Sequence, residues 1–359
     1  MPRLAIEKWE AEHRRHISTF LAEIDQLYDE TIDELVRLGI AYDYDPATGK
    51  LFAFADDTMK QREANSIIDA FRTKLSTIIT VGISTEWAFA NAKNDAWVRA
   101  LFTDPKEGYM LHNLKALEAY QNRKVYGHKL SDRVWHYSKQ FEKFIELSLS
   151  VSLSEGRSAA NISRDVRSQL KYPDKLFRRV RDRFGNLVLS RNARSFHPGQ
   201  GVYRSSYQNA MRMARTEING AYRQSDHERW QQLDFIVGVE VRVSKSHQAW
   251  LVKEWYPRFK HRVVMPMEIC DAMAGRYPKD FKFIGWHPNC KCHAVPIIAN
   301  EDNNKGFWET PDNEVTKTPD LFDKWMTDNK DRIEDAIKRG KAPYWVVENP
   351  QYTTTQKKK

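Results

Sequence analysis

Thiols and imidazoles gathered in one short stretch are the residues of this chain best suited to chemistry. Its three cysteines, Cys270, Cys290 and Cys292, all fall in the segment EICDAMAGRYPKDFKFIGWHPNCKCHAVPI, which also carries His287 and His293, with His247 upstream. Thiolates and neutral imidazoles are the donors a tetrahedral zinc ion takes, and such sites stabilise small irregular regions with little apolar core. The candidate donors are Cys270, Cys290 and Cys292, with His287 or His247 as the fourth ligand. A standard CxxC pair is missing and a CxC pair must bend sharply to give both sulfurs to one ion, so buried or free thiols stand beside structural zinc as readings of the same residues. A disulfide would leave one thiol over, and a catalytic Cys–His pair has no third orienting group in the motif.

Charge is the second chemical feature. The net charge is +9 over 359 residues, but it is concentrated. Residues 156 to 229 hold 16 basic side chains, 14 of them arginine, against six acidic ones, so the rest of the chain is close to neutral. Arginine forks suit phosphate and carboxylate. The segment reads either as a solvated basic face or as a surface for a polyanion, with Arg178, Arg179, Arg181, Arg183, Arg191 and Arg194 the candidate nucleic-acid contacts. No zinc-finger or helix-turn-helix spacing is present to read bases, so such contact would be independent of sequence.

The elements that position these residues are mostly helical. Steps of three and four from Ile17 through Leu21, Ile24, Tyr28 and Ile32 to Val36 predict one amphipathic helix from Pro2 to about Leu38, stopped by Gly39. AYDYDPATGKLFAF reads as a turn between two short strands. A second helix is expected from Thr58 to Phe102, with Gly82 a point of interruption, and a third from Ser131 as N-cap through Leu149. A short helix from Ser158 to Leu170 leads to an arginine-rich hairpin turned at Gly185-Asn186. A long helix from Val202 to Gln232 places Arg215, Asn219, Tyr222 and Asp226 on one polar face, with Ala210, Met213, Ala214 and Ala221 on a small-residue side. By spacing alone that polar face reads as a charged surface held by ion pairs. Residues 234 to 244 alternate as a strand. A polar linker and a helix from Pro319 to Arg339 follow, before the run PYWVVEN. The fold class is α+β, divided as 1–155, a helical segment and candidate docking module; 156–300, a mixed segment with the Cys/His cluster; and 301–359, linker, helix and tail.

Composition excludes several classes. With 41% hydrophobic and 12% aromatic residues the chain has enough apolar side chain for real cores. Its longest apolar stretches, such as Ile78 to Ile83, are too short to cross a bilayer, and the opening MPRLAIEKWEAEHRR is charged where a secretory signal would be apolar, which points to a cytoplasmic protein.

ARTEINGAY at residues 214–222, followed some seventy residues later by Cys270, Gly275 and HPNCKC, resembles the phage Mu protein F-like head-morphogenesis family, the minor head proteins of tailed phages. The resemblance spans roughly residues 150 to 298. Its helix motif falls on Arg215, Thr216, Glu217, Asn219, Ala221 and Tyr222, and its second motif on His287, Pro288, Cys290 and Cys292. Two positions depart from it: Met267 stands where the family often has the first cysteine of a CxxC, and Lys291 where HPxCRC has arginine. The resemblance implies a virion component present in few copies near the portal vertex on the capsid interior, reached from the host cytoplasm during assembly, with portal, procapsid or scaffold proteins and phage DNA as partners. Structural zinc is the one cofactor implied, and neither catalysis nor a membrane is. Family members can be joined to ADP-ribosyltransferase or nuclease domains, so an enzyme using Arg204, Ser205 and Glu217 is one alternative; a free-standing nucleic-acid-binding zinc protein is another.

Overall fold

A computed structural model describes residues 6–41, 44–48, 50–173, 179–181, 185, 187–189, 205–244, 269–300 and 309–353. The α+β class is as expected, with helices predominating over a small sheet. Contacts group the chain into two compact units, one of residues 1–17, 82–126 and 215–359, the other of residues 18–81 and 127–214. Each unit draws on chain from both sides of residue 155.

The second unit is a helical core. It contains the later turns of α1 (Ile6–Ile40), the first half of α2 (Thr58–Leu101), and the helices α4 (Leu130–Ser154) and α5 (Ala159–Lys171). The stripe anticipated on α1 is buried, and Tyr28 sits edge-on to Phe71, Phe141 and Tyr207. Gly39 does not end α1; it lies one residue inside it, where an added Cβ would meet Leu149 Cδ1 at 2.4 Å. Gly82 likewise leaves α2 unbroken. No strand occurs among the described residues between α1 and α2. The chain there makes 3₁₀ turns at Pro46–Thr48 and Phe54–Asp56, because its backbone donors go to side chains of α4: Phe52 N donates to Ser150 and Phe54 N to Glu146 at 3.0 Å. The start of α4 also differs, since Lys129 is its N-cap residue, with its N–H donated to Asp132 at 2.9 Å. The hairpin forms, with β1 (Arg179–Arg181) antiparallel to β2 (Leu187–Leu189) and Gly185 at φ 82° in the turn.

The first unit holds the sheet. Its centre is β3 (Ile236–Arg242), between β4 (Gly275–Tyr277) and β5 (His293–Ile298), both antiparallel to it. Pro296 lies on an edge strand, where a missing donor is tolerated. Trp230 of α6 (Ser206–Gln232) packs with Ile236, Val239 and Ile298 of the sheet, and α3 (Leu114–Asn122), which the sequence reading missed, lies on α6, where Tyr120 OH donates to Glu217 O at 2.8 Å. The expected C-terminal helix is two, α8 (Asp320–Asp328) and α9 (Lys330–Lys338), broken at Asn329, whose φ of −111° and ψ of 14° leave the helical range while its side chain also donates to Trp325 O at 2.9 Å. PYWVVEN is a helical turn, α10 (Tyr344–Glu348), followed by α11 (Pro350–Thr353). Phe322, Ile333, Trp345 and Val346 share one apolar cluster with all three cysteines, so the tail closes the core around them. No helix among the described residues is long and apolar enough to cross a membrane.

His227 on α6 gives this unit a pH dependence. Burial, helped by the nearby Lys282 charge, depresses its pKa to about 4. Between about pH 6.5 and 4 the unfolded chain therefore takes a proton that the folded chain refuses, and stability falls as pH falls through that window. The expected loss is about 2 kcal/mol after allowance for partial solvent contact. Urea denaturation at pH 7.0 and 4.5 should show it in the wild type and a smaller change in His227→Gln.

Candidate metal centre

Cys270 lies on the short helix α7 (Ile269–Ala272), while Cys290 and Cys292 flank Lys291 just before β5. All three are buried, none is in a disulfide, and their sulfurs lie within 4.8 Å of one another. Tetrahedral zinc thiolates place sulfurs about 3.8 Å apart, so the trio needs little movement to hold one ion. His287 adjoins the trio: Nε2 is 3.1 Å from Cys270 Sγ, and Nδ1 donates to Pro288 O at 2.8 Å, the tautomer that leaves Nε2 free as a donor to metal. The sharp turn asked of this segment is present, with Asn289 at φ 66° and Cys290 N bonded to His287 O at 3.0 Å.

Electrostatics move the three thiols in different directions. Thiol hydrogen bonds to Cys290 and Cys292, with burial, push Cys270 far up. The hydrogen bond from Cys270 lowers Cys292, but Cys290 and burial outweigh it and push Cys292 up to about 12. Burial pushes Cys290 up, yet hydrogen bonds from both other thiols, with Arg223 and His287, bring it well below the usual thiol value. The three thiols thus titrate as one group, of which Cys290 is the member drawn below the usual value.

The cluster is held by α6. Asn289 N donates to Thr216 Oγ1 at 3.2 Å, and Asn219 Nδ2 donates to Cys290 O at 2.8 Å. Arg223 donates to the carbonyls of Ile284, Cys290 and Cys292 at 2.6, 2.8 and 2.5 Å. The two sequence motifs, seventy residues apart, are therefore bonded to each other directly. Arg223 was missed by the sequence reading; its signal was its place four residues after Asn219, on the same helix face.

Other motif residues face away from the thiols. Glu217 is buried, accepts from Arg123 Nη2 at 2.6 Å, and its carbonyl accepts from Tyr120 OH at 2.8 Å. Tyr222 stacks on His13 at 3.9 Å between ring centres and donates to Glu10 at 2.9 Å. His13 lies against Glu86 on one side and Asn219 Oδ1, at 2.8 Å, on the other. Asp226 is 2.5 Å from Lys93 Nζ. The face of Asn219, Tyr222 and Asp226, expected as a charged surface, is instead buried in a polar network with α1 and α2, because those helices supply matching donors and acceptors. Arg215 is half-buried, and its charge helps burial to lower the Lys291 pKa.

His293, on β5, stands outside the trio, and His247 and Met267 lie outside the described residues. So do Arg178, Arg183, Arg191 and Arg194, while Arg179 and Arg181 are placed by backbone alone on β1. Several other cations of the basic segment are matched by acids elsewhere in the sequence. Arg167 pairs with Asp29 and Asp33, Lys171 with Asp25, and Arg229 with Asp95 at 2.8 Å. Of the enzyme alternative, Arg204 lies outside the described residues, and Ser205 donates to Leu170 O at 2.6 Å. No family model, curated protein or solved structure matches the chain.

Proposed function

We propose that this chain is a minor head protein of a tailed phage, acting in head morphogenesis near the portal vertex on the capsid interior, with a structural zinc ion on Cys270, Cys290, Cys292 and His287. The observation that carries the proposal is the direct bonding of the ARTEINGAY helix to the HPNCKC turn through Thr216, Asn219 and Arg223. Motif residues engaged in holding one segment to another are what a structural component needs. Glu217 and Ser205 each serve a structural contact of their own, which weighs against the transferase or nuclease reading. Zinc fits the donor set because three buried thiols lie close enough to share one ion and His287, with its other nitrogen on a carbonyl, adjoins Cys270 as a fourth donor. Portal or procapsid proteins are the proposed protein partners. DNA contact falls to the hairpin arginines, since Arg167, Lys171 and Arg229 are engaged within the fold.

Mass spectrometry of purified procapsids and virions tests the proposal. The chain is expected in particles at a few copies each, and its absence from both would overturn the reading.

A further inference from the structure

We infer that Arg223 is the positioning residue that makes the cysteine trio a site for a divalent, thiophilic metal ion, both by fixing the turn that carries two of the sulfurs and by neutralising the loaded site. This rests on the metal reading of Cys270, Cys290 and Cys292 and goes beyond it, because Arg223 supplies no ligand atom.

The geometry comes first. Arg223 is 6% exposed and its guanidinium lies 5.1 Å from the Phe283 ring. One of its nitrogens, Nη2, takes the carbonyls on both sides of Lys291, at 2.8 Å from Cys290 and 2.5 Å from Cys292. A single donor holding both peptide groups fixes their orientation, and so the directions from which the two side chains leave the backbone. Its other arm, Nη1, takes Ile284 O at 2.6 Å and anchors the strand of chain that enters the HPNCKC turn. Lysine, a point donor on a flexible stem, cannot reproduce that fork. Room for the fork is made by Gly285, which has φ 131° and where an added Cβ would meet Nη1 at 2.4 Å.

Charge is the second argument. A buried cation needs a compensating anion, and among the described residues Arg223 has no carboxylate partner. Among the described residues, the acids it braces are the thiols of Cys290 and Cys292, whose carbonyls it holds. Three thiolates around a doubly charged ion carry one net negative charge, which the guanidinium cancels, and His287 enters neutral. A singly charged ion in the same trio would leave the buried site negative. With all three thiols ionised on the metal, the charge match therefore selects divalent over monovalent soft metals.

Anaerobic titration of the reduced full-length chain with Co²⁺, read by its visible ligand-field bands and followed by Zn²⁺ competition, tests this. Arg223→Gln is expected to weaken metal binding about 10- to 100-fold, in the range for outer-shell partners, and Arg223→Lys by less, since it keeps the charge and loses the fork. Circular dichroism of the metal-free variants reports whether each folds. Should Arg223→Gln fail to fold, Arg223→Lys is read alone, and its binding must be at least about threefold weaker than wild type. Wild-type affinity in either folded variant overturns the role of Arg223. Failure of the wild type itself to bind Co²⁺ or Zn²⁺ overturns the metal reading instead, so the two failures are distinguishable.

Discussion

Stripping metal from the purified chain is expected to lower its thermal midpoint by on the order of 10 °C, and the protein as isolated under reducing conditions should carry close to one zinc per chain. The size follows from linkage. An ion bound at a thousand times its dissociation constant stabilises the native state by about 4 kcal/mol, and each kcal/mol moves the midpoint of a domain this large by about 2–4 °C. The trio is already gathered among Trp286, Phe322 and Trp345, so the metal-free chain should still fold, unlike a zinc finger. Cys290→Ser separates the metal from the packing. Loaded, it should lose most of the stabilisation; stripped, it should match the stripped wild type closely, because serine replaces the thiol with little change of volume. Zinc below a tenth of an equivalent, or a midpoint indifferent to chelation, would make these residues plain buried thiols.

The sequence disclosed this site because cysteine is rare in the chain: three of them in one segment, with HPNC between, is a chemical signal that needs no fold. Helices α1 and α2 were legible from apolar periodicity, and the hairpin from Gly185-Asn186, since each signal is local. What failed was non-local. A polar face on α6 reads the same whether water or another polar helix lies opposite, and only the fold brings Glu10, His13 and Lys93 to Tyr222 and Asp226. The basic segment was overstated for the same reason: Asp25, Asp29 and Asp33 lie more than a hundred residues upstream, and a window sum cannot see them. Gly39 reads as a stop and Gly82 as a point of interruption, although both are helical; close approach of Leu149 accounts for the first.

That buried network carries the largest expected cost of any single substitution: Lys93→Met should destabilise the chain by about 3–5 kcal/mol. Lys93 is 1% exposed, and its ammonium lies 2.5 Å from Asp226, 2.8 Å from Tyr222 OH and 4.2 Å from the centre of the Tyr222 ring. Burial raises the Asp226 pKa, and the Lys93 charge is the chief influence opposing it; burial acts likewise on Glu10, where Lys93 and His13 prevail and hold the carboxyl low. Methionine fills the volume but leaves Asp226 as an uncompensated buried carboxylate, with Asn94 Nδ2, at 2.8 Å, its remaining hydrogen-bond donor among the described residues. Two further measurements identify the cause as charge rather than packing. In Lys93→Met/Asp226→Asn, more than half the loss should return, since the amide needs no counter-ion. In Lys93→Met alone, the deficit relative to wild type should shrink as pH falls toward 4, because the raised Asp226 carboxyl then takes up a proton and its folded state no longer carries the charge. A loss below about 1 kcal/mol in urea at pH 7 would mean that water reaches the pair, and that the polar face of α6 is after all the solvated surface its spacing suggested.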